Sequence, residues 1–217
     1  MKQILIFANG DVNDGPMVRK SLKALHHPLV VAADGGARAA LYFGYLPKLV
    51  IGDLDSLSGV EVHNLRTQGV EIRRYPAEKN ETDLELALLY SAEAEADQVR
   101  IVGGVGDRLD QTIANMYLLA LPELAGRDVA FVAGRQVMFL LRPGEHDISG
   151  APGDTISLIP LGGEVKGIRT EGLYYPLKDE TLAFGPARGV SNVLNQEQAK
   201  ITLREGVLLI VHTVGRA

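Results

Sequence analysis

Two aspartates follow a run of apolar residues in the segment LVIGDLDSL, residues 49–57. A buried strand that ends in D-x-D would project Asp53 and Asp55 toward the same side, with Cα atoms about 6.5 Å apart, so that both carboxylates could share one cation. The alternative is that the two residues form a turn and a helix cap, because DSLSG is rich in turn-forming residues. The pair by itself leaves both interpretations open.

A further carboxylate, Asp83, lies in the segment EKNETDLELAL. Thr82 and Glu85 fit a capping box at the start of a helix, which places Asp83 in the first turn. A carboxylate there interacts favourably with the helix dipole by about 0.3–1 kcal/mol, which would explain the residue without any catalytic role. The same helix N-terminus could instead bind a phosphate, with Lys79 just outside it as a positive charge.

The segment IVGGVGDRLDQTIAN, residues 101–115, has the pattern of a strand, a glycine-rich turn and a helix. The glycines would let the backbone approach a phosphate closely, although the segment is neither a Walker loop nor a G-x-G-x-x-G fingerprint. Taken alone, such a turn has a structural role more often than a catalytic one. The polar residues that it brings to one face of the helix are Asp107, Arg108, Asp110 and Gln111.

The elements that must position these residues alternate along the first part of the chain. Short apolar runs such as QILIFA and PLVVAAD are separated by segments with helical periodicity, which predicts parallel strands covered on both faces. This pattern predicts an α/β fold with a doubly wound, mostly parallel sheet. Residues 1–142 are assigned to this domain.

After Leu141 the chain becomes rich in glycine and proline, with short β-type runs and no convincing helix. This texture predicts a small all-β sandwich domain over residues 143–217, with GVLLIVHTV as its last strand.

The acidic groups all follow predicted strands of one sheet, so they should converge on one edge. Two carboxylates 4 Å apart repel by about 4 kcal/mol at an effective dielectric constant of 20, so the cluster needs cations. Oxygen ligands without His or Cys suit Mg²⁺, which usually shares its coordination shell with substrate phosphates. The residues therefore indicate metal-assisted phosphoryl or diphosphoryl transfer from a nucleotide.

Composition limits the other possibilities. The net charge of −5 and the lack of a basic run argue against nucleic acid as a partner, and no apolar stretch is long enough to span a membrane. The absence of cysteine excludes disulfides and thiolate metal sites. A cytoplasmic location is the expectation.

Five motifs, in order, resemble those of thiamine pyrophosphokinases: ADGGA (33–37), IGDLDS (51–56), KNETDLELAL (79–88), GGVGDRLDQTIAN (103–115) and LAFGPARGVSN (182–192). The resemblance implies an N-terminal catalytic domain that binds ATP and Mg²⁺, a C-terminal thiamine-binding β-sandwich, and a homodimer with sites shared between subunits. It also implies the reaction of ATP with thiamine to give AMP and thiamine diphosphate.

The resemblance also implies roles for individual residues. It assigns metal binding and catalysis to Asp53, Asp55 and Asp83. Nucleotide binding falls to Asp34, Lys79, Thr82, Gly104, Asp107, Arg108 and Asp110. Thiamine binding falls to Ser191, Asn192, Tyr175 and Gln111. The family often has GGRxDH where this chain has GDRLDQ, so the roles of Asp107 and Gln111 stay open, and Tyr175 could equally be an ordinary core residue of the sandwich.

Two other functions share parts of this pattern. A related diphosphokinase acting on a hydroxymethyl pterin could use similar metal motifs, but LAFGPARGVSN argues against it. A non-catalytic nucleotide or thiamine sensor could keep the fold, but a pure binder has no need to assemble six carboxylates.

Overall fold

The computed structural model describes residues 1–216, which divide into two compact units, Met1–Gly134 and a second that begins at Arg135. Within the described residues, no helix is long and apolar enough to cross a membrane.

Apolar runs form the inner strands of the first unit, which are buried on both faces, whereas the edge strand EIRR, residues 71–74, is largely exposed. These strands are β1 (Gln3–Phe7), β2 (Leu29–Ala33), β3 (Leu49–Gly52), β4 (Glu71–Arg74), β5 (Gln98–Val102) and β6 (Asp128–Ala133). They pair in the order β6-β5-β1-β2-β3-β4, and every pairing is parallel. The predicted doubly wound parallel sheet is confirmed, and its strand order reverses between β1 and β5, where such sheets bind ligands.

Five helices connect these strands. They are α1 (Pro16–Ala24), α2 (Gly36–Tyr42), α3 (Gly59–Thr67), α4 (Asp83–Glu93) and α5 (Leu109–Leu118). Thr82 Oγ1 accepts a hydrogen bond from the backbone N–H of Glu85 at 3.1 Å, which is one half of the predicted capping box. The full capping box is formed instead by Ser58 and Glu61 at the start of α3, a helix that the turn-like sequence DSLSG concealed.

The second unit contains two antiparallel sheets. Their strands are β7 (Gln136–Leu141), β8 (Gly144–Ser149), β9 (Thr155–Pro160), β10 (Val165–Glu171), β11 (Lys178–Leu182), β12 (Asn192–Val193), β13 (Gln198–Leu203) and β14 (Leu208–Thr213). One sheet has the order β12-β9-β14-β7 and the other β11-β10-β13-β8. Apolar residues of both sheets, among them Leu158, Ile168, Ile201 and Ile210, form one buried cluster, as the predicted all-β sandwich requires.

The strand β7 pairs with β14, so the compact units divide at Gly134, ahead of the boundary that the sequence predicted at residue 142. Whether the two functions divide at the same point stays a prediction.

Candidate active site

The carboxyl ends of the parallel strands open onto a cleft of about 630 Å³ in the first unit. It is lined by the turn after β1, the segments after β2 and β3, the start of α4, and the glycine-rich turn between β5 and α5. Most of the predicted phosphate- and metal-binding residues line it: Asp34, Asp53, Asp55, Lys79, Thr82, Asp83, Gly104, Asp107 and Arg108. Gln111, which was predicted to bind thiamine, also lines this cleft. Asp110 is not among the lining residues; it is exposed and forms an ion pair with Arg108 at 2.6 Å.

Three carboxylates meet in this cleft. Asp34, Asp53 and Asp83 each offer an oxygen, and these oxygens lie within 4.8 Å of one another. Asp34 is buried, and within residues 1–216 its Oδ1 atom has no hydrogen-bond partner. A buried carboxylate oxygen without a partner is unfavourable unless a ligand satisfies it.

Glycine at position 52 permits this convergence. Gly52 ends β3 with a φ of +153°, and a Cβ atom there would lie 3.0 Å from the carboxyl carbon of Asp83 and 3.1 Å from the Cβ of Asp34. Any side chain would therefore separate the two carboxylates.

The expected strand geometry of D-x-D was wrong. The strand ends at Gly52, before Asp53, and Leu54 between the two aspartates has a φ of 67°, which is outside the extended region. Asp53 Oδ1 accepts a hydrogen bond from the backbone N–H of Asp55 at 3.1 Å, so the pair does form a turn. Asp55 is exposed on the cleft, and the buried Asp34 takes its expected place beside Asp53.

One cation of the chain lies beside the three carboxylates. Lys79 Nζ is 2.9 Å from Asp83 Oδ1 and 3.6 Å from Asp53 Oδ2. Burial alone would lower the pKa of Lys79, but hydrogen bonding to Asp83 and the charges of Asp83 and Asp53 raise it. With Lys79 charged and the three carboxylates ionised, these four groups together carry a net charge of −2.

The pKa of Asp83 is also raised, which in a carboxyl group disfavours the charged form. Burial raises its pKa; the ion pair with Lys79 opposes this shift, and repulsion from Asp53 and Asp34 adds to it. The ionised form of the cluster is thus only partly compensated by the protein, and a divalent cation would match the remaining charge.

The opposite wall of the cleft is the glycine-rich turn. Gly10 N–H donates to the carbonyl of Gly103 at 2.8 Å, and Asn115 Nδ2 donates to the carbonyl of Gly104 at 2.8 Å. Asn115 is buried on α5. The sequence does not predict its role, because an asparagine within a helix gives no indication of which group its side chain contacts. It fixes the turn whose backbone would face phosphates.

Three of the four predicted thiamine-binding residues, Tyr175, Ser191 and Asn192, lie in the second unit, whereas Gln111 lies in the first. Tyr175 and Ser191 are exposed, whereas Asn192 is buried. Tyr175 is therefore not a core residue of the sandwich.

Comparisons with known proteins identify the family of the chain. The family model described as "Thiamin pyrophosphokinase, catalytic domain" matches residues 22–129, and "Thiamin pyrophosphokinase, vitamin B1 binding domain" matches residues 145–208. Thiamine pyrophosphokinase of Bacillus subtilis (strain 168) is 28% identical over 214 residues, which cover 98% of this chain and 99% of that protein.

Solved structures resemble the whole fold. The crystal structure of thiamine pyrophosphokinase from Bacillus subtilis superposes with a TM-score of 0.87 at 25% identity, covering 98% of this chain and 99% of the other. That of thiamin pyrophosphokinase from Geobacillus thermodenitrificans has a TM-score of 0.82 at 27% identity, covering 97% of both chains. With both family models matched in chain order, the chain belongs to the thiamine pyrophosphokinase family.

Proposed function

We propose that this protein is a thiamine diphosphokinase, which transfers the terminal diphosphoryl group of ATP to the hydroxyethyl oxygen of thiamine and releases AMP. The observation that carries the proposal is the meeting of Asp34, Asp53 and Asp83 at the sheet edge of a thiamine pyrophosphokinase family member. The match to the vitamin B1 binding region disfavours a pterin substrate. The uncompensated carboxylates disfavour a sensor without catalytic activity.

A divalent metal fits the cleft, and we propose Mg²⁺. The donors are all carboxylate oxygens, one of them buried without a partner, and the local charge of −2 equals that of the ion with opposite sign. Asp53, Asp83 and the predicted ligand Asp55 would hold it, with Asp34 as an additional ligand. When bound, the ion would neutralise phosphate oxygens of ATP and polarise the phosphorus under attack.

The remaining cleft residues would orient the triphosphate. Lys79 is held by Asp83 at the start of α4, where Thr82 caps the helix and the first turn lines the cleft, as suits the binding of a phosphate. The glycine-rich turn at Gly104 would approach the phosphates from the other wall. Arg108, with Asp107 and Asp110 beside it, would complete the nucleotide site.

The chemistry is a displacement at the β-phosphorus. The hydroxyl oxygen of thiamine forms a bond to that phosphorus, and the bond to the oxygen that bridges the α- and β-phosphorus breaks. AMP leaves with the electron pair of the broken bond, and the hydroxyl proton is released to water. The cleft contributes chiefly by positioning the groups and by electrostatic stabilisation, as is general for phosphoryl transfer.

We also propose that residues 1–142 handle ATP and metal, that residues 143–217 bind thiamine, and that a two-fold homodimer builds each site from two subunits. The support is that all predicted metal and phosphate residues lie in the first compact unit, whereas three of the four predicted thiamine-binding residues lie in the second; the fourth, Gln111, lines the cleft of the first unit. Mixing Asp55→Asn with Asn192→Ala subunits, assayed at thiamine well below the KM so that both variants are impaired, tests this, since a mixed dimer would hold one site without either lesion. Recovered activity supports a shared site, and no recovery after verified exchange contradicts it.

The function itself is tested by incubating the protein with ATP and Mg²⁺, with and without thiamine. We expect AMP and thiamine diphosphate in equal amounts only when thiamine is present, and neither product when EDTA removes the metal. Formation of AMP that does not depend on thiamine would contradict the proposed substrate.

A further inference from the structure

A short loop of the second unit presents two aromatic side chains to solvent. We call residues 172–177 the tyrosine loop. Leu173 and Leu177 are buried in the core of the sandwich, whereas Tyr174 and Tyr175 between them are 66% and 63% exposed. Their rings pack edge to face, with centroids 4.8 Å apart and an interplanar angle of 82°. Exposed tyrosines flanked by buried leucines are held outward by the fold.

Asn192 fixes the backbone beneath this pair. Its Oδ1 accepts a hydrogen bond from the backbone N–H of Tyr175 at 3.0 Å, and its Nδ2 donates to the carbonyl of Tyr175 at 2.7 Å. Oδ1 also accepts from the N–H of Val193 at 2.9 Å. The amide is therefore engaged at both ends, and the residue as a whole is only 6% exposed.

Other bonds hold the two ends of the loop. Tyr174 N–H donates to the carbonyl of Val193 at 2.8 Å. At the far end, the hydroxyl of the buried Thr170 accepts from the N–H of Leu177 at 2.8 Å, and Thr170 N–H donates back to Leu177 at 3.0 Å. These bonds fix the backbone of the loop without a ligand, which reduces the entropy cost of binding.

We propose that Asn192 is a positioning residue: it acts through the backbone of Tyr175 to hold the Tyr174–Tyr175 pair in the orientation that binds the thiamine rings, and its own amide does not contact thiamine. This inference rests on the proposed function. Electron-rich tyrosine faces suit a flat heteroaromatic ring and the cationic thiazolium. Asn192 has its acceptor and one donor occupied within the unit, which leaves little for a ligand.

A double-mutant cycle separates this role from direct contact. Asn192→Ala, Tyr175→Ala and the double variant are compared by their KM for thiamine and for ATP. If Asn192 acts through Tyr175, each single change raises the KM for thiamine by about tenfold, and the double change has no larger effect than Tyr175→Ala alone. The KM for ATP stays unchanged.

Asn195→Ala is the matched control. Asn195 lies three residues away, is exposed, and its side chain makes no hydrogen bond within residues 1–216, so its replacement should leave both KM values unchanged. If Asn192→Ala proves too unstable to assay, Asn192→Asp retains the shape and the acceptor but loses the donor to Tyr175, and the same cycle applies.

A spectroscopic measurement tests the positioning without activity. The chain has no tryptophan and seven tyrosines, so its near-UV circular dichroism reports mainly on tyrosine packing. We expect Asn192→Ala to lose the same part of this signal as Tyr175→Ala, while Asn195→Ala keeps it. Additive effects on the KM for thiamine, or an unaltered KM in Asn192→Ala or Tyr175→Ala, would overturn the inference. Failure of the wild-type protein to form thiamine diphosphate would instead overturn the proposed function.

Discussion

Two aspartates, one in each compact unit, are treated in opposite ways by their surroundings. Asp83 lies in the cleft, where burial and two neighbouring carboxylates raise its pKa despite the ion pair with Lys79. Asp154 in the second unit is also buried, which alone would raise its pKa, but N–H groups of Ala151 and Gly215 together with His212 lower it overall. The carboxylate oxygens of Asp154 accept hydrogen bonds from the N–H of Ala151 at 3.0 Å and of Gly215 at 2.7 Å, and Oδ2 lies 2.8 Å from Nε2 of His212.

The contrast indicates that the charge of Asp154 stabilises the fold, whereas the charge of the cleft carboxylates is available to bind a ligand. Asp154 is saturated by bonds from its own unit, so its charge stabilises the sandwich. The carboxylates of the cleft have one lysine among three of them, together with an unpartnered oxygen on Asp34. Functional sites commonly retain such unfavourable arrangements because the ligand relieves them.

The largest expected effect is loss of activity on removing one charge of the cleft. Asp53→Asn nearly preserves shape but weakens the metal and phosphate site, so kcat/KM should fall by about 100-fold or more. A steady-state assay of thiamine diphosphate formation measures it. Asp97→Asn, an exposed change outside the cleft, serves as the control and should keep wild-type activity.

Asp55→Asn shows whether a fourth carboxylate of the cleft belongs to the metal site. Asp55 was predicted as a metal ligand, yet it lies outside the group of three converging carboxylates. A loss comparable to that of Asp53→Asn would support its role as a ligand. Wild-type turnover at saturating Mg²⁺ would assign Asp55 to the turn alone.

Replacing a glycine of the cleft should give the next largest effect, a loss in the free energy of unfolding. Gly103 has a φ of +76°, and a Cβ atom there would lie 2.3 Å from the carbonyl oxygen of Ala8. Gly126 has nearly the same φ, +77°, with no atom within 4 Å. We expect Gly103→Ala to lower the free energy of unfolding by about 3 kcal/mol and Gly126→Ala by about 1 kcal/mol. Equal losses in urea titrations would contradict the close approach of the two backbones.

Removing the satisfied charge of the second unit should destabilise the fold in a pH-dependent way. Because the folded pKa of Asp154 is lowered, its stabilisation is present above roughly pH 4 and is lost as the pH falls through the folded pKa. Asp154→Asn should therefore cost about 2 kcal/mol at neutral pH. The difference from wild type should shrink on acidification in denaturant titrations, and a constant difference would contradict the assignment.

The smallest effect has the opposite sign. Asp34→Asn relieves repulsion in the cleft, so the metal-free protein should gain about 1 kcal/mol of stability. In the wild type, Mg²⁺ at 100 times its Kd should add about 2.7 kcal/mol, and this gain should be lost or much reduced in the variant. Thermal unfolding with Mg²⁺ and with EDTA measures both. An unchanged response to Mg²⁺ would remove Asp34 from the metal site.

Much of the first unit could be predicted from sequence because its signals are local. Apolar runs and helical periodicity indicated the parallel sheet, and the rule that parallel strands end at one edge brought Asp53, Asp83 and Asp107 to the same cleft. Helix α3 was missed although Ser58 and Glu61 carry the signal of a capping box, because the preceding residues also form good turns.

The rest depends on contacts that no local pattern encodes. Asp34 joins Asp53 only because β2 and β3 are adjacent, and a turn with a positive φ at Leu54 turns Asp55 away from strand geometry. The inward direction of Asn192 follows from the register of the two-residue strand β12 against β9, which pairs it with Ile156. Its hydrogen bonds to Tyr175 join residues 17 positions apart, and no local sequence pattern predicts such a contact.

Diphosphoryl transfer to thiamine is tested most directly by isotopic labelling of ATP. ATP labelled separately at the α-, β- or γ-phosphorus is incubated with the protein, thiamine and Mg²⁺, and the products are separated. We expect the β- and γ-labels both to appear in thiamine diphosphate while the α-label remains in AMP. Transfer of the γ-label alone, with ADP as the second product, would rule out diphosphoryl transfer.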